Sequence, residues 1–360
     1  MSERVDQELV QEALRLLRLG VDPGSVADRA PPRAPVMEIL DFATAQKVTG
    51  AVVRGLKTVE GGAGGAVFLL DRILAEERTQ RDAMAGQAGE MIAAFAGAGI
   101  DLMLLKGGAH MAVSDFQPEI WRTMVDFDLL VRERELQRSA VLLEGLGYAP
   151  FNDMYDAEVD HHLPPYMRDH DYASVELHDS LSWVRCPAAL DAGDVWRDAV
   201  RIESRSGPVW VPCPMHRAAH LVVHSQIADH NHHRRALRLR DLIDWRLLIK
   251  GGGVDLDALE RRFASDGYGE EFRAFASLMG EIWEDGAQPG WSADYARRNR
   301  TILRGLADPA SLRKYLMADI VRIVLGSFLD RNRFRRLMAS LTDRERRRMK
   351  IGRLVEGLRR

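Results

Sequence analysis

Three short runs, IDLMLLK (100–106), MVDFDLLV (124–131) and YASVELH (172–178), interrupt a chain that is otherwise patterned for helix. The first is an unbroken apolar run between Gly99 and Gly107, as expected of a buried strand. The second alternates, with Val125, Phe127 and Leu129 facing the core and Asp126 and Asp128 sharing the opposite side, because residues i and i+2 of a strand project together. A helix of about two turns is expected after Gly108. Elsewhere apolar residues recur at helical spacing over 6–19, 37–59, 67–96, 133–147, 214–228, 237–249, 255–265, 269–284, 294–305, 310–329 and 342–358. Gly20 is expected to stop the first helix, the Pro- and Gly-rich stretch 20–36 to form a linker or surface loop, and GGAGG (61–65) to break the chain again. This order predicts a small α/β unit flanked by helices at both ends, and 360 residues suffice for two or three structural units.

Several classes are disfavoured by composition. No apolar run reaches the ~20 residues that span a bilayer, and the amphipathic, acid-rich N-terminus is unlike a signal peptide, so no transmembrane segment and a cytoplasmic, bacterial-type protein are expected. The two cysteines, Cys186 and Cys213, fit a reducing compartment and form no CxxC pair. Net charge is −3, which argues against the whole molecule binding polyanions. The charge is uneven, however: residues 331–360 hold twelve Arg or Lys against three acids, leaving −12 on residues 1–330. Only six lysines accompany 44 arginines, which singles out Lys106 at the end of an apolar run.

The chemistry concentrates in the three strand candidates. Side by side, the carboxylates of Asp126 and Asp128 repel and are costly unless a cation binds them, and hard oxygen ligands of this kind suit Mg²⁺; the plainer reading is a strand end with two solvated acids. A strand running into Gly107-Gly108 and then a helix can offer backbone N–H groups to phosphate oxygens, although a Gly pair after a strand is more often a plain turn. Lys106 can reach a phosphate there or snorkel to water. Glu176, with His178 two residues on and on the same face, supplies a third carboxylate that can complete a metal site or take the proton of an acceptor hydroxyl. Arg122 can bind triphosphate or form a structural ion pair, for example with Asp126.

Taken together, LKGGA, WRTMVDFDLLV, a helix ending LGY, HHLPPY and VELH resemble the bacterial uncharacterised nucleotidyltransferase family, within the polymerase-β-like superfamily, over about residues 70–250. The resemblance implies a mixed-sheet α/β (α+β) core, with Gly107 and Gly108 as the phosphate turn and Lys106 and Arg122 beside the nucleotide. Asp126, Asp128 and Glu176 become the catalytic metal ligands for Mg²⁺, with Mn²⁺ as an alternative. The implied substrate is an NTP, with ATP the expected one. Seventeen residues separate Gly108 from Asp126, longer than is usual in the superfamily, and the third acid is Glu where most members have Asp. Four regions follow: an N-terminal helical region (1–97), the nucleotidyltransferase core (98–182), a mostly helical region completing the cleft (183–330) and a basic C-terminal helix (331–360).

Ten of eleven histidines lie between 161 and 233. His216, His220 and His224 recur every four residues after Pro214 and would share a helix face. A zinc stripe is conceivable, but metal sites usually draw on a second ligand source, so a polar face lining the cleft is the preferred reading, joined by His161, His162 and His178. Of these, His162, His178, His220 and His224 are the candidates for contact with the acceptor. RLRDLIDW (238–245) carries Asp241 and Asp244, which can orient those histidines or pair with arginines. The basic C-terminal helix is either packed on the body or a docking surface for RNA, an acidic partner or an anionic membrane. The leading expectation is Mg-dependent transfer of a nucleotidyl group from an NTP to an unidentified acceptor hydroxyl on a small molecule, peptide, protein or RNA. The alternatives are a phosphotransferase using the same metal site, a non-catalytic nucleotide- or partner-binding protein of the same fold, and an RNA-binding module built on the tail. The tail lacks the aromatic-basic interleaving that the last would use.

Overall fold

The computed structural model describes residues 6–60, 66–120, 122–151, 163–182, 184, 186–284 and 292–329. The basic C-terminal helix, His161 and His162 lie outside the described residues. Helices α1 (Gln7–Val21), α2 (Val36–Ala45) and α3 (Thr49–Thr58) precede the long α4 (Val67–Gly97). The stretch expected as one helix over 37–59 is thus two, divided at Gln46–Val48, where Lys47 takes a positive φ of 59°. Gly20 does not stop α1. It lies inside the helix where α1 crosses α3, and a Cβ there would stand 1.7 Å from the Ala51 carbonyl oxygen. Gly55 is the reciprocal contact, 1.9 Å from the Leu16 oxygen by the same measure. Both glycines are therefore required by the approach of two backbones. The segment after α1 is equally constrained: buried Asp22 accepts hydrogen bonds from Arg246 Nη2 (2.5 Å) and Lys250 Nζ (2.6 Å), which pins the stretch predicted as linker to a helix more than 200 residues away.

The sheet is mixed, with seven strands among the described residues: β1 (Met103–Leu104), β2 (Asp126–Leu130), β3 (Ala149–Pro150), β4 (Tyr166–Met167), β5 (Ser174–His178), β6 (Val200–Ser204) and β7 (Gly207–Val211). Their order is β3-β4-β5-β2-β1-β7-β6. The apolar run 100–106 contributes only two strand residues, since α5 (Lys106–Val113) already begins at Lys106. The β6–β7 hairpin went unforeseen because VRIES is a polar edge strand with three of its five residues exposed, so no apolar run announces it.

On one face of the sheet, Phe127, Leu129, Val175 and Leu177 join Met84, Ala88, Met91, Ile92 and Phe95 of α4 and the buried residues of α5 and α6 (Leu136–Gly145) in one core. The N-terminal half of α4 instead buries Leu70 and Leu74 with α1 to α3, so this helix joins the first helical layer to the sheet. Val125, expected in the core, precedes β2 and is 44 % exposed. The opposite sheet face meets the later helices. These are α7 (Ala192–Arg197), α8 (Pro214–Val222), a π-helical turn over Val223–Ala228, α9 (Asn231–Arg234), α10 (Leu239–Gly251), α11 (Leu256–Ser265), α12 (Gly269–Trp283), α13 (Ser292–Ala307) and α14 (Arg313–Leu329). Among the described residues no helix is long and apolar enough to cross a membrane.

The α1–α3 crossing gives a direct test. Gly20→Ala forces a methyl into the Ala51 carbonyl, and overpacking of this kind should lower stability by about 3 kcal/mol. Urea denaturation should show the midpoint falling; an unchanged midpoint would mean that the two helices do not cross this closely.

Candidate functional site

Strand register assembles the site. β2 and β5 run parallel with Asp126 opposite Ser174, Asp128 opposite Glu176 and Leu130 opposite His178, and since Phe127 and Leu129 fill the core behind, all the acids face the later helices. β1 pairs antiparallel with β2, and the Leu105 amide still donates to the Asp128 carbonyl at 3.0 Å. The next residue must leave the strand at once to start α5. Lys106 does so in a left-handed conformation (φ 45°), which costs a non-glycine residue about 1–3 kcal/mol. The sharp turn lays its side chain over β2, where Nζ donates to Asp128 Oδ1 at 2.6 Å.

Asp128 is therefore the hub. It is 3 % exposed and also accepts from His178 Nε2 at 3.2 Å, while the same nitrogen lies 3.6 Å from Glu176 Oε2. One ligand atom from each of Asp128, Glu176 and His178 falls within 4.8 Å of the other two, a set able to hold a cation. Burial opposes ionisation of Asp128, yet the Lys106 charge and the His178 hydrogen bond overcome it and hold its pKa well below the usual range. Burial works against the charge of Lys106 and of His178 too, and the Asp128 carboxylate reverses this in both, raising each pKa. Asp126 behaves oppositely: burial, then the negative charge of Asp128, pushes its pKa up despite Lys106.

In front of this cluster lies a cleft of about 290 Å³, lined on the sheet side by Lys106, His110, Arg122, Asp126 and Glu176. Asp128 and His178 sit behind it. Facing them from α8, the π turn and α10 are Arg217, His220, His224, Arg238, Arg240, Asp241 and Asp244. Of the predicted residues, Lys106, Arg122, Asp126, Glu176, His220 and His224 thus share one cleft. Arg122 pairs not with Asp126 but with Asp244, at 2.9 Å. Gly107 and Gly108 lie in the first turn of α5, buried and away from the cleft lining. The need for glycine at 107 is steric, since a Cβ there would meet Met124 Sδ at 2.6 Å and Arg122 Nη2 at 2.9 Å.

The histidine periodicity divides in space. His216 Nε2 meets Asp198 at 3.1 Å, outside the cleft, whereas His220 and His224 line it with rings edge to face, 6.3 Å apart. The division falls within α8, before the π turn over Val223–Ala228 that carries His224. Arg238 Nη2 lies 3.3 Å from His224 Nδ1 and Asp229 Oδ2 lies farther from it, at 3.5 Å; since a guanidinium only donates, the shorter contact favours the tautomer with the His224 proton on Nε2. Burial, with the Lys106 and Arg238 charges, keeps this ring neutral by pushing its pKa well down. Asp241 and Asp244 behave as arginine partners, Asp241 taking Arg238 Nε at 3.1 Å. Arg217, Arg240 and His110 were not singled out by sequence. The first two were legible only as neighbours of the periodic histidines and of RLRDLIDW, in a chain where arginine is too common to stand out.

The sequence profile of the uncharacterised nucleotidyltransferase family matches residues 33–284. The match is broader than the resemblance over 70–250 and reaches from α2 through α12. No curated protein matches the chain.

The Lys106–Asp128 pair predicts a non-additive stability effect. Lys106→Met leaves a sealed carboxylate with His178 as its remaining partner and should cost about 2 kcal/mol, less than for a fully enclosed pair. Adding Asp128→Asn should restore most of that loss, as measured by urea denaturation. Because the Asp128 pKa is depressed, the pair's contribution is complete above the ordinary aspartate value of 3.8 and fades as pH falls below it. Strictly additive losses would contradict the coupling.

Proposed function

The chain belongs to the uncharacterised nucleotidyltransferase family, and we propose that it moves a nucleotidyl group from a nucleoside triphosphate, with ATP the expected donor, to an acceptor hydroxyl in a Mg²⁺-dependent reaction. The observation that carries this reading is the in-register pairing of Asp128 with Glu176, flanked by Asp126 and Lys106 at the wall of a cleft. Three carboxylates gathered around one lysine leave an excess of negative charge that a divalent cation offsets.

The donor set fits such a cation. Asp128 and Glu176, with Asp126 beside them, would hold it, and their hard oxygens suit Mg²⁺ or Mn²⁺. When bound, the cation would stabilise the negative charge that develops on the phosphate oxygens. The protein's own groups divide the remaining work. His178, 2 % exposed, is too enclosed to meet an acceptor and instead fixes the Asp128 and Glu176 carboxylates from behind. Lys106 neutralises Asp128 in the free protein and is the ammonium closest to the carboxylates when a phosphate arrives; as a mobile point charge it can follow the phosphate where an arginine fork would demand fixed geometry. Asp126 and Glu176 face the cleft. Either carboxylate can take the proton as the acceptor oxygen bonds to the α-phosphorus and pyrophosphate departs.

Two labels separate nucleotidyl from phosphoryl transfer. Incubation with Mg·ATP and an extract of acceptors should move label from the α-phosphate, not the γ-phosphate, onto a product. Asp128→Asn and Glu176→Gln should each reduce that labelling by at least about a hundredfold, and calorimetric titration should show Mg·ATP binding lost in Asp128→Asn. Transfer of the γ label would establish a phosphotransferase, and unchanged Mg·ATP affinity in Asp128→Asn would remove the metal assignment.

A further inference from the structure

Two positive charges in the cleft have no direct partner among the described residues. Arg217 on α8 and Arg240 on α10 both line it, and neither guanidinium makes a hydrogen bond or ion pair among the described residues. Two of the carboxylates whose charge reaches them are committed elsewhere, and the third, Asp126 on the opposite wall, acts on Arg240 without forming an ion pair with it among the described residues. Asp244, felt by Arg217, pairs with Arg122 at 2.9 Å. Asp241, felt by Arg240, accepts from Ser225 Oγ at 2.6 Å and from Arg238 Nε at 3.1 Å. Burial is the largest influence on both arginines and lowers their pKa, and the nearby carboxylates offset it only in part. An arrangement of this kind costs stability, and it is retained where a ligand supplies the missing charge.

The cations expected from sequence to meet phosphate are, by contrast, already engaged: Lys106 by Asp128 and Arg122 by Asp244. The cleft is consequently bipolar. Asp126 and Glu176 stand on the sheet wall, and the incompletely offset positive charge lies across from them on α8 and α10, which pack against each other. His224, held neutral by burial and by the neighbouring positive charges, lines that same wall.

We propose that Arg217 and Arg240 are the oxyanion receptor of this cleft, binding phosphate oxygens of the substrate, with His224 as a third, uncharged donor. The proposal rests on the nucleotidyltransferase reading only for which substrate carries the phosphate. Two sources share this chemistry: the triphosphate of the donor nucleotide, and a phosphate group on the acceptor.

Calorimetric titration of the full-length protein with tripolyphosphate, Mg·ATP and glycerol phosphate tests it. Arg217→Gln and Arg240→Gln should each weaken binding about tenfold or more. Their melting temperatures should hold or rise, because an incompletely offset charge has been removed, which a merely structural arginine would not give. Parallel losses for tripolyphosphate and Mg·ATP assign the receptor to the nucleotide; a loss confined to glycerol phosphate assigns it to the acceptor. Should a Gln variant fail to fold, Arg217→Lys and Arg240→Lys carry the test, with affinity expected between wild type and loss, since the charge stays and the fork is gone. Wild-type affinity for all three ligands in the variants, or no binding of any of them by the unaltered protein, overturns the receptor. Tripolyphosphate binding that is lost in Arg240→Gln, in a protein that transfers no label, would instead sink the transferase reading and leave the receptor standing.

Discussion

A carboxylate at 3 % exposure cannot remain charged on its own, and the compensation of Asp128 organises much of this molecule. Lys106 and His178 approach the same oxygen, at 2.6 and 3.2 Å, from two different strand connections. For the lysine to arrive, the chain must turn from β1 into α5 within one residue, at a positive φ. For the histidine to arrive, β5 must lie parallel to β2 in one particular register. A slip of one residue would turn Glu176 and His178 into the apolar core and bring Val175 and Leu177 out of it. The buried face of the sheet and the acid cluster are thus specified by the same pairing.

Across the cleft the charge pattern inverts. Pairs between Arg122 and Asp244, and among Arg238, Asp229 and Asp241, consume most of the helical wall's acids, leaving Arg217 and Arg240 to face the cleft without them. The wall itself is held by distant contacts, since α10 carries Arg246 and Lys250 to Asp22 of the N-terminal region. The anchor at Asp22 precedes the family match, which begins at residue 33.

The acid cluster was legible in the sequence because period two and period 3.6 leave different marks: VDFDLLV and VELH each declared which side chains share a face, and both faces hold in the structure except at Val125, which precedes β2 and is exposed. What escaped the sequence depended on long-range geometry. Gly20 and Gly55 look like helix breakers until two helices are seen crossing through them. The turn at 106–108 looked like a glycine turn, but the left-handed residue is Lys106, and Gly107 is small because Met124 and Arg122 leave no room. The β6–β7 hairpin has no apolar signature because its outer strand is an exposed edge. Arg217 and Arg240 matter through what their neighbouring carboxylates already bind, a property that no spacing rule records.

The central claim is that the Asp128–Glu176 pair receives a divalent cation with the nucleotide and that Lys106 yields its place on Asp128 when this happens. A crystal structure with Mn²⁺ and a non-hydrolysable ATP analogue, using the anomalous signal of manganese, tests it most directly. The account predicts a manganese peak bonded to Asp128 and Glu176, with Lys106 Nζ withdrawn from Asp128 Oδ1 toward a phosphate oxygen. Manganese located away from both carboxylates, with the 2.6 Å Lys106–Asp128 contact intact beside a bound nucleotide, would contradict it.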